Sequence, residues 1–419
     1  MNDLLLLAAA GAGDATDAVP TVLLALALVV VGAKLAGELV ERLGQPAVLG
    51  ELLVGIALGN MGLVGGPDTS GLASNETLTV LAELGAVLLL FHVGLESTPK
   101  EMMAVGGRAM VVAVVGVATP MLLGFGVGEF MRPRESWMLH AFLGAMLAAT
   151  SVGITARVLK DADALQTRFA RIILGAAVID DVLGLLVLAV VSGIIRAAAT
   201  GVALSAGAVV LILAKAFLFL VGALVIGSLL SPRVFRGALA LRSRGVVLAL
   251  SLGLCFVLSY LALRAGLAPI VGAFAAGLVL EEVHFEGHVK RGEPPLHESL
   301  EPLIALLVPV FFVRMGMLVD LRSFASLSVL AFAALLTLAA IVGKLACALA
   351  TPKGVSGLTV GLGMMPRGEV GLIFAAIGAR LVVNGQPVVD SGTYAAAVFM
   401  VVATTMATPP LLLWSIRKR

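Results

Sequence analysis

Two adjacent aspartates, Asp180 and Asp181, sit inside an otherwise uncharged stretch that runs from Ile173 to Gly184. An ionised side chain at the centre of a membrane helix costs at least about 2.5–3.5 kcal/mol, so it is kept there for function or because it is paired. Neighbouring helical residues project about 100° apart, which lets the two carboxylates serve different neighbours. Lys344, within Ile341–Ala346, is the cation that such a site needs. The residues alone leave its partner open among Asp180, Asp181 and a glutamate of another span. Carboxylate oxygens are hard donors of the kind a small monovalent cation prefers, and the same oxygens take protons. Two acids and a lysine therefore make a place where a cation and a proton can compete.

Two further stretches carry polarity where a membrane helix should be uniform. Ala149-Thr150-Ser151-Val152-Gly153-Ile154-Thr155 and Gly361-Leu362-Gly363-Met364-Met365-Pro366-Arg367-Gly368-Glu369 each interrupt an apolar run. Unwound backbone at bilayer depth is tolerated only against protein or a wet cavity, and the half-helix ends expose carbonyls and amides able to hold ions. Thr150 and Ser151 add hydroxyl oxygens, and Arg367 and Glu369 are expected to neutralise the helix ends. Other charges read more plainly. Lys34 and Glu38, spaced i, i+4, read as a helix pair. His92 and Arg314 read as interface packing or as the lining of a cation pathway. Lys215 reads as a side chain that snorkels to an interface.

The elements that must position these groups follow from composition. Apolar residues make up 60% of the 419 positions and charged residues only 13%, with a mean hydropathy of +1.10. A soluble protein of this size needs more charge than that to cover its surface, so the bilayer is the solvent. The net charge of +2 gives no reason to expect a nucleic-acid partner. Cys255 and Cys347 lie in apolar runs and read as small core residues, neither bridged nor metal-bound. The N-terminus lacks the basic start of a signal peptide and is expected to be a retained tail. The chain stops soon after its last apolar run, which predicts no attached regulatory domain.

A bilayer core of about 30 Å needs some 20 helical residues. Cutting at charges, glycines and prolines predicts thirteen spans, near 19–40, 46–65, 77–95, 108–128, 138–159, 170–195, 203–229, 245–263, 267–281, 300–319, 323–351, 355–379 and 393–415. The runs are too long and too evenly apolar for barrel strands. An odd number puts the termini on opposite sides. The basic end Arg417-Lys418-Arg419 and the acidic head with Asp3, Asp14 and Asp17 predict a cytoplasmic C-terminus and an external N-terminus. Most of the 28 Lys and Arg then fall in internal loops, as the positive-inside rule requires.

An internal repeat is also visible. Gly50 and Gly272, Gly55 and Gly277, and Gly94 and Gly316 are each separated by 222 positions in similar apolar contexts. That offset spans seven helices, an odd number, so the second copy is inverted. Two six-helix units joined by a linker helix follow, an organisation typical of secondary transporters. The predicted fold is an all-α polytopic membrane protein of about 13 transmembrane helices, with two inverted six-helix repeats and two broken crossing helices.

Leu43-Gly44-Gln45-Pro46-Ala47-Val48-Leu49-Gly50-Glu51, Ala149–Arg157, Ala177–Gly184 and Gly363–Ile373 together resemble the monovalent cation:proton antiporter superfamily, most nearly its bacterial NapA-type sodium/proton antiporters. The resemblance covers nearly the whole chain, in order. It implies a homodimer in the bacterial cytoplasmic membrane, whose partners are lipids, Na+ and H+, with Li+ and K+ as competing cargoes and no cofactor. It implies an external tail at 1–18, a dimerisation domain from 19–107 and 231–322, a linker helix at 201–230, and a mobile core from 108–200 and 323–419 that moves like an elevator. Asp181 matches the ion-binding aspartate, and Asp180 the neighbour that pairs with the lysine at Lys344. Thr150 and Ser151 match the crossing beside the site. His92 and Arg314 depart from the family's apolar choices.

On this reading an empty, ionised Asp181 is too costly to carry across a dry barrier, which makes exchange obligatory. If sodium binds both aspartates while Lys344 gives up its proton, the loaded site bears one net negative charge. The proton-loaded site is neutral, so each cycle moves one positive charge inward with the protons. The three groups titrate as a coupled set. The alternatives are a K+/H+ antiporter on the same scaffold, a sodium-coupled symporter, an intramembrane aspartyl protease and a passive channel. The symporter needs a roomier polar pocket, and the protease needs carboxylates facing each other from separate helices. The channel leaves the acids and lysine without a purpose. The expected protein is a transporter, with no catalytic residue.

Overall fold

The computed structural model of the protein describes residues 15–66, 69–96, 106–165, 167–199, 206–240, 245–280, 294–383 and 385–418. Most of the expected N-terminal tail, with Asp3 and Asp14, lies outside the described residues.

Each expected span has its helix. They are α1 (Ala15–Arg42), α2 (Ala47–Gly59), α3 (Glu76–Glu96), α4 (Gly106–Met131), α5 in two pieces (α5a, Trp137–Ala148; α5b, Val152–Asp161), α6 (Arg168–Ala199), α7 (Ala206–Ala240), α8 (Val246–Arg264), α9 (Pro269–Val279), α10 (Leu296–Met317), α11 (Leu327–Leu345), α12 in two pieces (α12a, Gly357–Gly363; α12b, Gly368–Arg380) and α13 (Ser391–Arg417). Among the described residues, 8 helices are long and apolar enough to cross a membrane. The shorter α2 and α9, α7 with its apolar stretch Phe217–Ser231, and the half-helices complete the set. Local chemistry sets the starts: Ser136 caps α5a, Ser356 caps α12a and Asp390 caps α13 through their side chains, each satisfying an amide that the helix leaves free. Pro269 occupies the first turn of α9, where its missing N–H costs nothing. Large apolar side chains such as Leu35, Leu122, Phe130 and Leu349 are left exposed, as lipid-facing positions require.

The structure departs from expectation in three places. A two-stranded hairpin, β1 (Val382–Val383) with β2 (Gln386–Pro387), joins α12b to α13, its turn carrying Gly385 at φ 77. The linker helix α7 continues to Ala240, so the expected boundary at 230 falls inside a helix. Glu38 pairs with Arg42 at 2.9 Å rather than with Lys34. A glutamate one turn before its basic partner is the better-aligned order on a helix, and Lys34–Glu38 is the reverse.

The principal helix contacts fall into two groups. The first joins α3 with α9 and α10, α2 with α10 and α1, and α8 with α9; the second joins α4 with α5a, α6 and α11, and α13 with α11 and α12b. Backbone-to-backbone glycine crossings hold the first group. A Cβ on Gly55 would strike Val313 O and come 2.8 Å from Gly316 Cα; one on Gly277 would strike Phe91 O and come 2.7 Å from Gly94 Cα. The residues of the second crossing are those of the first displaced by 222 positions, with the roles exchanged. Gly50 against Ala36 and Gly272 against Leu258 repeat the relation. Small residues at such crossings let membrane helices approach closely where no hydrophobic force drives them together.

Candidate functional site

Helix α6 carries the aspartates past both helix breaks. A Cβ on Gly184 would lie 3.9 Å from Ala149 Cα, and one on Gly363 would lie 2.5 Å from Ile173 Cδ1. Asp180 and Asp181 fall between these two points of approach, which are about 16 Å apart along α6 at 1.5 Å per residue.

Asp180 is fully buried. Lys344 Nζ donates to its Oδ1 at 2.8 Å, and both side chains are 0% exposed. Its Oδ2 has no hydrogen-bond partner among the described residues. Asp181 is only partly buried, so the two adjoining carboxylates differ in their access to solvent. The pair has a wall that sequence reading missed. On α4, a Cβ at Gly116 would stand 3.0 Å from Cys347 Sγ, 3.5 Å from Asp180 Oδ1 and 3.6 Å from Lys344 Nζ. One turn on, Pro120 abuts Gly343, the residue before Lys344. Cys347 is buried and free, and its thiol faces Val112 O at 3.6 Å.

The two breaks cross. Ser151 N donates to Pro366 O at 2.8 Å. Their helix ends are satisfied in different ways. Past the end of α5a, Ala149 O accepts from Arg367 Nη1 at 2.9 Å, while Nη2 of the same buried guanidinium reaches Ala340 O at 3.1 Å. A cation suits the negative end of a helix dipole. At the end of α12a the donors are hydroxyls: Thr155 Oγ1 to Gly363 O at 2.6 Å, and Thr150 Oγ1, more distantly, towards Met364 O at 3.5 Å. Gly368 N, opening α12b, donates to Thr405 Oγ1 of α13 at 3.2 Å. Gly368 has φ +44, and a Cβ there would lie 2.5 Å from Ser151 Oγ, so only glycine fits.

The structure thus brings together Asp180, Lys344, Arg367 and the Thr150–Ser151 crossing, with Asp181 on the adjoining position of α6. Glu369 lies in the first turn of α12b, and its side chain is outside the described residues. His92 is partly buried on α3 and Lys215 is exposed on α7. Arg314 is within electrostatic reach of Glu83, Arg380 and Tyr394. Gly116 and Thr405 were not singled out in the sequence, and Cys347 and Thr155 were given no part in the site there. They are ordinary small residues of apolar helices, and only their tertiary neighbours mark them.

A buried acid–lysine pair, a second acid beside it and two crossing broken helices define a membrane ion transporter. Residues 24–414 match the family described as "Sodium/hydrogen exchanger, transmembrane", and the chain belongs to that family. It is 39% identical to the high-affinity Na+/H+ antiporter NhaS3 of Synechocystis sp., over 93% of this chain and 89% of that protein. It is 33% identical to the Na+/H+-K+ antiporter GerN of Bacillus cereus, over 92% of this chain and 94% of that one. The sodium proton antiporter MjNhaP1 from Methanocaldococcus jannaschii has a similar fold, with a TM-score of 0.71 at 18% identity, covering 93% of this chain and 95% of that structure.

Proposed function

We propose that this protein is a secondary active Na+/H+ antiporter in which sodium and protons compete for Asp181. The buried Asp180–Lys344 pair at 2.8 Å, beside a partly exposed Asp181, carries the reading. Asp181 receives sodium with help from Thr150, Ser151 and the freed carbonyls. Asp180 and Lys344 form the coupling pair, which opens when the cation draws on both carboxylates and closes when Asp181 is protonated. Arg367 and Glu369 balance the helix ends. Each exchange moves one net charge.

The two groups of helix contacts support a division into a moving core (α4–α6 and α11–α13) and a stationary scaffold (α1–α3 and α8–α10) that dimerises, with α7 linking the halves and an elevator-like shift of the core. The protein is multi-pass in the bacterial cytoplasmic membrane, with the N-terminus outside. The name of the GerN relative includes K+, so potassium belongs among the cargoes tested.

The test is proton movement in proteoliposomes on addition of sodium, lithium or potassium, for the parent and for Asp181→Asn. Sodium-driven proton release in the parent alone is the expected result. Equal behaviour of the two proteins, or no cation-driven release in the parent, overturns the assignment. Release driven by potassium and not sodium transfers the reading to the potassium exchanger.

A further inference from the structure

Away from the aspartates, a second set of charges gathers where the two groups of helices meet. A cavity of about 420 Å³ separates α3 and α10 from α6 and α12b, and Glu83, Arg196, Arg380, Phe311, Ile373 and Ile377 are among its walls. Across it, Arg380 at the end of α12b forms an ion pair with Glu83 of α3. Close by, Tyr394 Oη of α13 donates to Met315 O of α10 at 2.9 Å. Next to Met315, Arg314 has its Nε and Nη1 buried, with no hydrogen-bond partner among the described residues. Arg314 also lies within electrostatic reach of Glu83 and Arg380.

One carboxylate therefore has two guanidiniums to choose from, and the two sit on different bodies. Arg380 belongs to the group with α4, α11 and α13. Arg314 shares a group with Glu83, and their helices are in backbone contact, because a Cβ on Gly85 would come 2.8 Å from Leu307 C. Displacing the core removes Arg380 from Glu83 but leaves Arg314 where it is. Buried, unfilled donors on a guanidinium are costly, and Glu83 is the nearby acceptor that fills them once Arg380 has gone.

We propose that Glu83 is the shared partner of an ion-pair switch: it binds Arg380 while the core occupies the observed position and passes to Arg314 when the core moves. The proposal rests on the antiporter reading, in which the core shifts against the scaffold. Its consequence is that the carboxylate is paired at both ends of the stroke. Moving the core then exchanges one guanidinium for another and never leaves the carboxylate without a partner. The Glu83 and Arg380 side chains are 51% and 40% exposed, and an ion pair in that setting is weak enough to be made and broken in every cycle.

The test uses Ala376→Cys, a nearly buried position on the cavity wall, in full-length purified protein whose own cysteines are buried. The readout is its labelling rate with a hydrophilic maleimide. Arg380→Gln should raise the rate by up to about fivefold, the shift an exposed ion pair supports. Arg314→Gln should lower it, because the displaced position loses its stabiliser. On a Glu83→Gln background neither substitution should matter. Arg380→Lys and Arg314→Lys, which keep the charges, should label like the parent. Arg196→Gln, which removes a cation from the same cavity but has no hydrogen bond to Glu83, should do likewise.

An unchanged rate in Arg314→Gln, or an Arg380→Gln effect that persists without Glu83, overturns the switch. Sodium-driven proton release by the same preparations separates this from the antiporter reading. If release is present and depends on Asp181 while the labelling pattern fails, the switch alone falls. If the parent releases no protons, the antiporter reading falls first.

Discussion

Removing Lys344 should expose how tightly the buried pair is coupled. Lys344→Gln leaves Asp180 with neither exposure to solvent nor its ammonium donor at 2.8 Å. Breaking a buried ion pair from one side typically costs about 3–5 kcal/mol, since an uncompensated charge stays behind. With an unfolding entropy of about 2.1 cal/mol/K per residue, a chain of 419 residues should melt roughly 3–6 °C lower. Asp180→Asn should cost a similar amount through the stranded ammonium. The double variant, Asp180→Asn with Lys344→Gln, replaces the ions by neutral groups able to bond each other, and should recover most of the loss. The assay is thermal unfolding of the four proteins in one detergent, at one pH and salt concentration. A double variant whose loss equals the sum of the single losses would show that the two residues are uncoupled. Single variants as stable as the parent would refute the argument more directly.

Substitutions at three other positions probe the rest of the structure. Gly368→Ala places a methyl 2.5 Å from Ser151 Oγ at a φ of +44; strain and overpacking together are worth roughly 2–5 kcal/mol, so transport and melting temperature should both fall. Gly116→Leu fills the space against Cys347, Asp180 and Lys344 and should destabilise the protein by about 1–3 kcal/mol while stopping exchange, as a melt and a flux assay would report. At Asp390 burial pushes the carboxyl up, but hydrogen bonds from Thr393 and the Arg132 guanidinium outweigh it and hold the group below the usual carboxylate range. Its contribution is therefore present at neutral pH and lost as pH falls through that lowered value. Asp390→Asn, still a good cap, should flatten the acid end of a stability–pH profile, whereas Asp390→Ala should also lose about 0.5–2 kcal/mol at neutral pH.

The helices were legible because bilayer length and charge punctuation are strong signals, and all thirteen expected spans have counterparts, both breaks included. The 222-residue repeat was legible as glycine spacing, but spacing alone does not say that Gly55 meets Gly316 and Gly94 meets Gly277. Those pairings are fixed by three-dimensional packing between the copies. Lys344 announced that it needed a carboxylate without saying which, since residues 164 positions apart carry no mutual mark. The parts played by Thr155, Thr405 and Gly116 were invisible for a related reason. Hydroxyls and glycines are common in membrane helices, and their work here is to meet one particular carbonyl, amide or ion pair. The Lys34–Glu38 expectation failed because i, i+4 spacing was read without direction, and Arg42 offered Glu38 the better-ordered partner.

The glycine crossings also bear on how the protein is made. Gly55 and Gly94 lie in the first half of the chain, and the backbones they pack against belong to α10 and α9 in the second. Until those later helices leave the ribosome and enter the bilayer, the Gly55 face of α2 and the Gly94 face of α3 have nothing to close on and stay turned to lipid. Assembly of the frame must therefore be late and long-range, with contacts of high sequence separation formed last. A nascent chain halted before α9 would sit in the membrane with both crossings unmade, open to association with another incomplete copy and to membrane proteases that remove unfinished chains.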